Sequence, residues 1–389
     1  MAIAEPQTEA LVPPAKAKRR LLSPLNERRW RNFKKNRRAF WSLWIFSLLF
    51  GLSLFAEFLA YDKPIIVRYQ GQTFTPIWSF YPETAFGGDF RTEASYRDPE
   101  VQCLIRSGGL EDCFDDPEGI LEGIASGTFG DGVEGFKKGW MLWPLIPYSY
   151  DTAVERPGAA PLAPNAENWL GTDGTKRDVL ARIIHGFRLS IFFTLIVTGL
   201  STVIGVIAGA VQGYFGGRTD LLFQRFIEIW SSTPQLYVII IMFAVLGRSF
   251  WLLVFLMVLF GWMGVVGLVR AEFLRARNLE YVRAARALGV GNLTIMFRHM
   301  LPNAMVATLT FLPFIITGTI STLASLDFLG FGLPASAPSL GELTLQAKQN
   351  LQAPWLAFSA FATFALMLSL LIFIFEGIRD AFDPRKTFT

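Results

Sequence analysis

The chain is poor in charge. Asp, Glu, Lys and Arg make up 17% of its 389 residues, against roughly 25% in an ordinary soluble protein. Hydrophobic residues reach 52%. The length alone would allow two or three soluble domains, but this composition disfavours a water-solvated globule. Cysteine and histidine are also scarce. Cys103, Cys113, His185 and His299 are the full complement, too scattered for the roughly four closely spaced ligands of a zinc site, so no metal is expected. No Gly-x-x-x-x-Gly-Lys-Ser/Thr phosphate loop occurs. Gly171 to Arg177 holds a glycine and a lysine at the wrong spacing, so any ATP belongs on another subunit. A Gly-x-Ser-x-Gly elbow is missing too, as is any cluster of His or carboxylates within an apolar stretch.

What is present is a set of six long apolar stretches. A transmembrane helix needs roughly 20 mostly apolar residues, and 40–61, 189–215, 230–247, 249–269, 304–326 and 353–375 qualify. The segment 230–247 is the weakest, being short and holding Pro234. Glu57 is the one acidic residue well inside a stretch, and its place near the outer end fits a snorkelling or packed carboxylate. The fold class expected is an all-α integral membrane protein with six transmembrane helices.

Basic residues set the orientation. With the N-terminus inside, the inner segments 1–39, 216–229, 270–303 and 376–389 hold 22 Lys and Arg, and the short outer segments hold 2. The long segment 62–188 is exempt from this rule because of its length. N-terminus in and C-terminus in is the expected arrangement. The arm 1–39 starts with a stretch that reads as disordered. From Arg28 to Arg38 basic residues alternate with Trp30 and Phe33, which suits a helix on anionic membrane lipid, although a plain basic flank fits equally. Nucleic-acid binding is disfavoured in a chain with six spans.

Segment 62–188 reads as a large extracytoplasmic insert, with 19 acidic and 12 basic residues. Alternation around Gly71 predicts a short hairpin. Cys103 and Cys113 stand ten apart; an oxidising compartment favours their pairing, two free buried thiols being the alternative.

The inner segment 270–303 carries the most information. In Glu280-Tyr281-Val282-Arg283-Ala284-Ala285-Arg286-Ala287-Leu288-Gly289, Tyr281, Ala284, Ala285 and Leu288 share helical spacing. Gly289 is placed to stop the helix, Asn292 to cap the next and Pro302 to open the following span. The result is a short helix across the cytoplasmic face whose small residues admit close approach of another protein. An ordinary amphipathic loop helix would show the same pattern.

This segment resembles the EAA loop of ABC-importer permeases, with Ala284, Ala285, Gly289, Leu301 and Pro302 in register. Arg283 stands where that pattern has its first Glu, and His299 takes a hydrophobic position. Four further stretches resemble the dipeptide and oligopeptide subfamily. They are Trp169-Leu170-Gly171-Thr172-Asp173 with Arg177, Asp178 and Arg182; Tyr214-Phe215-Gly216-Gly217 with Asp220; Ser325 to Gly332, including Gly330, with Pro338-Ser339; and Gly377 to Arg385, including Asp380, Asp383 and Pro384. The basic arm, first span and enlarged insert look most like the Yej-type branch, which imports oligopeptides and microcin C.

The resemblance implies a type I ABC importer permease fold: first helix 40–61, insert 62–188, a five-helix core 189–378 with its coupling loop 270–303, and a tail 379–389. It implies a paralogous permease as heterodimer partner, two ATPase domains that carry ATP and magnesium, and a periplasmic peptide-binding protein. The chain itself would bind no cofactor and catalyse nothing. Residues 280–289 would contact the ATPase, so a bulky Trp at Ala284 or Ala285 is expected to block coupling. Polar residues Thr194, Thr198, Ser201, Thr202, Ser231, Ser232, Thr317, Thr319 and Ser321 are expected on the pathway or in helix packing. Two rivals are a transporter or channel working alone and a membrane-anchored enzyme in the insert. The first calls for buried ionisable groups or broken helix repeats, and the second has carboxylates but a single histidine, His185, at the very end of the insert. Localisation in a bacterial inner membrane follows from the resemblance.

Overall fold

The computed structural model describes residues 24–129, 135–334 and 336–382. The start of the basic arm, together with Asp383 and Pro384, lies outside them.

The chain opens with α1 (Pro24–Lys35) and α2 (Arg37–Leu54), broken at Asn36, whose side chain caps α2 by accepting from the Ala39 amide. The short α3 (Ala56–Leu59) carries Glu57. The insert follows. Strands β1 (Ile66–Tyr69) and β2 (Gln72–Phe74) form an antiparallel hairpin with Tyr69 opposite Gln72. Both turn residues, Gln70 and Gly71, have positive φ, the geometry that matches strand twist in a two-residue hairpin. A third strand, β3 (Trp140–Leu142), pairs with the other edge of β1. Helices α4 (Pro99–Ser107) and α5 (Pro117–Ser126) pack beside this sheet, and Cys103 is bonded to Cys113 within a small apolar cluster.

The long helices come next: α6 (Val179–Phe215), α7 (Gly217–Ser231), α8 (Gln235–Leu246), α9 (Phe250–Gly261) and α10 (Met263–Ala276). They are followed by α11 (Glu280–Ala287), α12 (Asn292–Thr294), α13 (Leu301–Phe328), α14 (Leu340–Gln349) and α15 (Pro354–Phe382). Among the described residues four continuous helices are long and apolar enough to cross a membrane: 179–215, 250–276, 292–328 and 354–382. The α7–α8 pair, bent by 67°, makes a fifth if it is one crossing. The bend falls before Pro234, which cannot supply a helical amide. Helix α2 is 18 residues long and starts with Arg37 and Arg38, so its apolar part is shorter than the others.

Two boundaries differ from the sequence expectation. Helix α6 starts at Val179, ten residues before 189, capped by the Asp178 carboxylate. Its first turns hold Arg182, His185 and Arg188, which hydropathy counts as loop. Each has a protein partner: Arg182 in Asp173 and Glu342, His185 in the Ala60 carbonyl, and Arg188 in both oxygens of Glu57 at 2.9 and 2.8 Å. Helix α15 likewise continues through Arg379 and Asp380 to Phe382.

Close packing of α6 on α10 depends on Gly205, Gly209 and Gly213, four residues apart. A Cβ there would come within 2.6, 2.9 and 2.5 Å of the Cβ atoms of Val265, Val269 and Phe273. Small residues at this spacing let two helix backbones approach in an apolar medium, where dispersion rather than water release drives association.

Candidate coupling site

Helix α11 stands at the end of the bundle where α6 finishes. Glu280 lies in its first turn and Arg286 in its last, both favourable for the helix dipole. Its C-terminus is closed by two backbone hydrogen bonds: Gly289 donates to Arg286 and Val290 donates to Ala285, at 3.0 and 3.1 Å. Gly289 has φ of 76°, the left-handed geometry this closure needs and glycine takes without strain.

The helix has two unlike sides. Val282 and Ala285 are buried in a cluster with Phe273, Ala276, Ile295, Met296 and Met300. Tyr281, Arg283, Ala284 and Leu288 are exposed, Leu288 at 83%. The expected common face of Tyr281, Ala284, Ala285 and Leu288 therefore splits. Ala285 sits one residue, or about 100°, around the helix from Ala284 and belongs with Val282 on the inner side. Leu293 and Phe297, also exposed, line a separate cleft with Ile207 and Val211 of α6.

Polar contacts fix this seat. The Tyr214 hydroxyl donates to Asn292 Oδ1 at 2.7 Å, and the Arg286 guanidinium lies 4.8 Å from the Tyr214 ring centre. Asn292 thus anchors α6 instead of capping α12, whose N-cap is Gly291. Arg270 grips both oxygens of Asp220 at 2.5 and 2.7 Å, and Arg277 fills the space beside Gly216. Asn303 donates to the Tyr281 hydroxyl at 3.4 Å. Between α12 and α13 the backbone makes a π-helical turn over Ile295–Met300. Pro302 lacks an amide for the carbonyl four residues back, and the wider turn relieves that mismatch. His299 is half-buried on this turn.

A second group of motif residues meets at the insert end, on the opening turn of α6. Asp173 accepts from the Thr175 amide and hydroxyl (2.8 Å each) and the Arg177 amide (2.9 Å), and is paired with Arg182. Arg182, fully buried, also reaches Glu342 on α14 at 2.7 Å, and Gln346 bridges Glu342 and Asp173. Burial alone would raise the Asp173 carboxyl. The Arg182 charge and the Arg177 and Thr175 donors outweigh it and hold the group below the usual carboxylate range. Asp178 is raised by burial, against donors from Ala181 and Asn168. Gly171, at φ of 70°, packs against Leu162 and Trp355. Asp327 accepts from the Leu333 amide and the Ser339 hydroxyl, and Ser339 in turn caps α14. Gly332 lies so close to Asp327 that a Cβ would overlap the carboxylate, and Gly330 takes φ of 78°. Motifs far apart in sequence thus form one polar knot joining α6, α13, α14 and α15. Asp380 stands apart from it in the last turns of α15.

Of the polar pathway residues, Thr317, Thr319 and Ser321 donate to carbonyls four residues back in α13, and Ser231 and Ser232 to carbonyls three back. The hydroxyls of Thr194, Thr198, Ser201 and Thr202 have no hydrogen-bond partner among the described residues. No group of three or more metal-ligating side chains occurs among the described residues.

Among the described residues the long apolar helices are those of a multi-pass membrane protein, with the amphipathic α11 exposed at one end. The chain belongs to the binding-protein-dependent ABC permeases of the oligopeptide group, and within them to the YejE type. The family model for the binding-protein-dependent transport system inner membrane component matches residues 201–388, and that for the N-terminal TM domain of oligopeptide transport permease C matches residues 23–73. The chain is 53% identical to the peptidoglycan transport system permease protein YejE of Agrobacterium fabrum, over 100% of both chains. It is 51% identical to the inner membrane ABC transporter permease protein YejE of Escherichia coli, over 94% of this chain and 98% of that one. The oligopeptide permease OppC of Bacillus subtilis is 32% identical over 61% and 78%. Among solved structures, a chain of the MetNI methionine ABC transporter aligns at 15% identity with a TM-score of 0.45, covering 52% of this chain and 96% of that one. The protein is accordingly a multi-pass inner-membrane permease subunit of an ABC transport system.

Proposed function

We propose that this chain is one half of the membrane channel of an ATP-driven peptide importer, crossing the membrane six times with both termini in the cytoplasm. Its crossings are α2, α6, the α7–α8 pair, α9–α10, α13 and α15, with the insert 62–178 on the periplasmic side. A paralogous permease completes the channel, two cytoplasmic ATPase domains bind ATP and magnesium, and a periplasmic binding protein delivers substrate. Helix α11 docks in a groove of an ATPase domain through Tyr281, Ala284 and Leu288. ATPase closure moves it, and the contacts of Tyr214, Asn292 and Val282 pass that movement to α6, α10 and α13, which switch the side to which the cavity opens. The observation that carries this reading is the exposed apolar edge of α11 on a helix whose opposite edge is packed into the bundle.

Substrates are oligopeptides, including microcin C-like peptides. The name of the Agrobacterium relative favours a second reading, peptides derived from peptidoglycan; the peptide group is common to both. Selectivity rests mainly with the binding protein. Copurification tests the assembly. A tagged chain is expected to bring down the ATPase subunits, and deletion of 280–289 to abolish that capture while the paralogous permease still copurifies. Undiminished capture of the ATPase by the deletion would refute the docking role.

A further inference from the structure

The corner between α1 and α2 holds a feature that coupling does not use. It crosses the last turns of α15 in tight contact: a Cβ on Gly377 would come within 2.2 Å of the Ala39 Cβ and 2.9 Å of the Phe33 ring. On one side of this crossing an open cavity of about 410 Å³ is lined by Lys35, Asn36, Arg37, Arg38 and Glu376. Glu376 is shared with a cleft of about 280 Å³ between α13 and α15, lined also by Pro313, Phe314, Ile372, Phe375 and Arg379 and by the threonines Thr310 and Thr317. Phe314 and Ile372 are 60% and 54% exposed. A basic mouth thus adjoins, through Glu376, a cleft whose wall is apolar for the larger part.

The charges do not balance. Lys35, Arg37, Arg38 and Arg379 face a single carboxylate, Glu376, and none of the five makes an ion pair among the described residues. Cations clustered beside a hydrophobic surface need an anion that also carries apolar bulk. Phospholipid supplies both, and basic pockets between helices at the cytoplasmic surface are suited to anionic headgroups. Trp41 and Trp44, 62% and 58% exposed on α2, are residues favoured near a membrane interface.

We propose that this clasp binds one anionic phospholipid of the cytoplasmic leaflet, with its phosphate among Lys35, Arg37, Arg38 and Arg379 and one acyl chain in the α13–α15 cleft. The leaflet rests on the orientation proposed above; the binding does not. Native mass spectrometry of the purified importer, titrated with phosphatidylglycerol or phosphatidylcholine of matched chains, tests it. The wild type is expected to retain phosphatidylglycerol selectively. Lys35→Gln/Arg37→Gln/Arg38→Gln should weaken that retention by roughly a hundredfold, from the loss of three surface cations. Ile372→Trp, which fills the cleft without changing charge, should weaken it as well, and millimolar inorganic phosphate should not displace the lipid. Equal retention of the two lipids, or wild-type retention by both variants, would overturn the proposal. So would a photo-crosslinker at Phe314 that labels the partner permease and no lipid. Cysteine labelling from each side of the membrane separately tests the leaflet.

Discussion

Ala284→Trp is expected to abolish peptide uptake, by about a hundredfold or more, while the protein still reaches the membrane in normal amount. The Ala284 side chain is exposed between Tyr281 and Leu288. An indole there disturbs nothing within the chain but stands off any protein surface fitted to a methyl group, and a displaced docking helix transmits no movement. Ala285→Trp is expected to behave differently. Ala285 is 8% exposed and packs with Val282 and Phe273, and overpacking such a site costs about 1–3 kcal/mol or more. That variant should lower the amount of folded permease as well as uptake. Uptake of a labelled peptide, normalised to immunoblotted membrane protein, separates the two. Normal uptake by the Ala284 variant would remove α11 from coupling, and identical behaviour of both variants would mean that the split between its two edges is wrong.

Arg182→Met is expected to be the most destabilising single change at the insert end, by about 3–5 kcal/mol, the range for removing one partner of a buried ion pair. Asp173 would remain fully buried without its countercharge, and Glu342 would lose its reach across to α6. The double variant Arg182→Met/Asp173→Asn should lose less than the sum of the two single variants, because position 173 then carries no buried charge without a partner, although Glu342 still loses Arg182. Thermal unfolding of the purified protein measures both. The pH dependence has a definite sign. Because the folded Asp173 carboxyl lies below its ordinary value of 3.8, its stabilisation is complete above that value. It is lost as pH falls from there through the lower folded-state value.

The contrast between these two sites shows what the sequence could display. The expectation of six spans rests on apolar length, which is local; among the described residues four helices meet that length, and a fifth if the α7–α8 pair is one crossing. The early start of α6 does not follow from apolar length, because Arg182, His185 and Arg188 are neutralised by Asp173, Glu342, Ala60 and Glu57 from other segments, and hydropathy sees only their charge. Strand β3 is hidden for the same reason, since Trp140–Leu142 pairs with residues more than 70 positions earlier. The bend before Pro234 and the Gly205, Gly209, Gly213 spacing were legible in the letters. At α11 the helical spacing predicts the element but not its two separate edges. An i, i+3, i+4, i+7 set spans a stripe wide enough that one alanine faces out and its neighbour faces in.

The central claim is that the work of ATP hydrolysis enters a largely apolar bundle through α11. Reconstitution of the complete importer in liposomes, with labelled peptide and binding protein outside and the ATPase domains facing the medium that holds ATP, measures this directly. The account predicts peptide accumulation that requires ATP and all subunits, and none from this chain alone under any ion gradient. Gradient-driven accumulation by the isolated chain would contradict it.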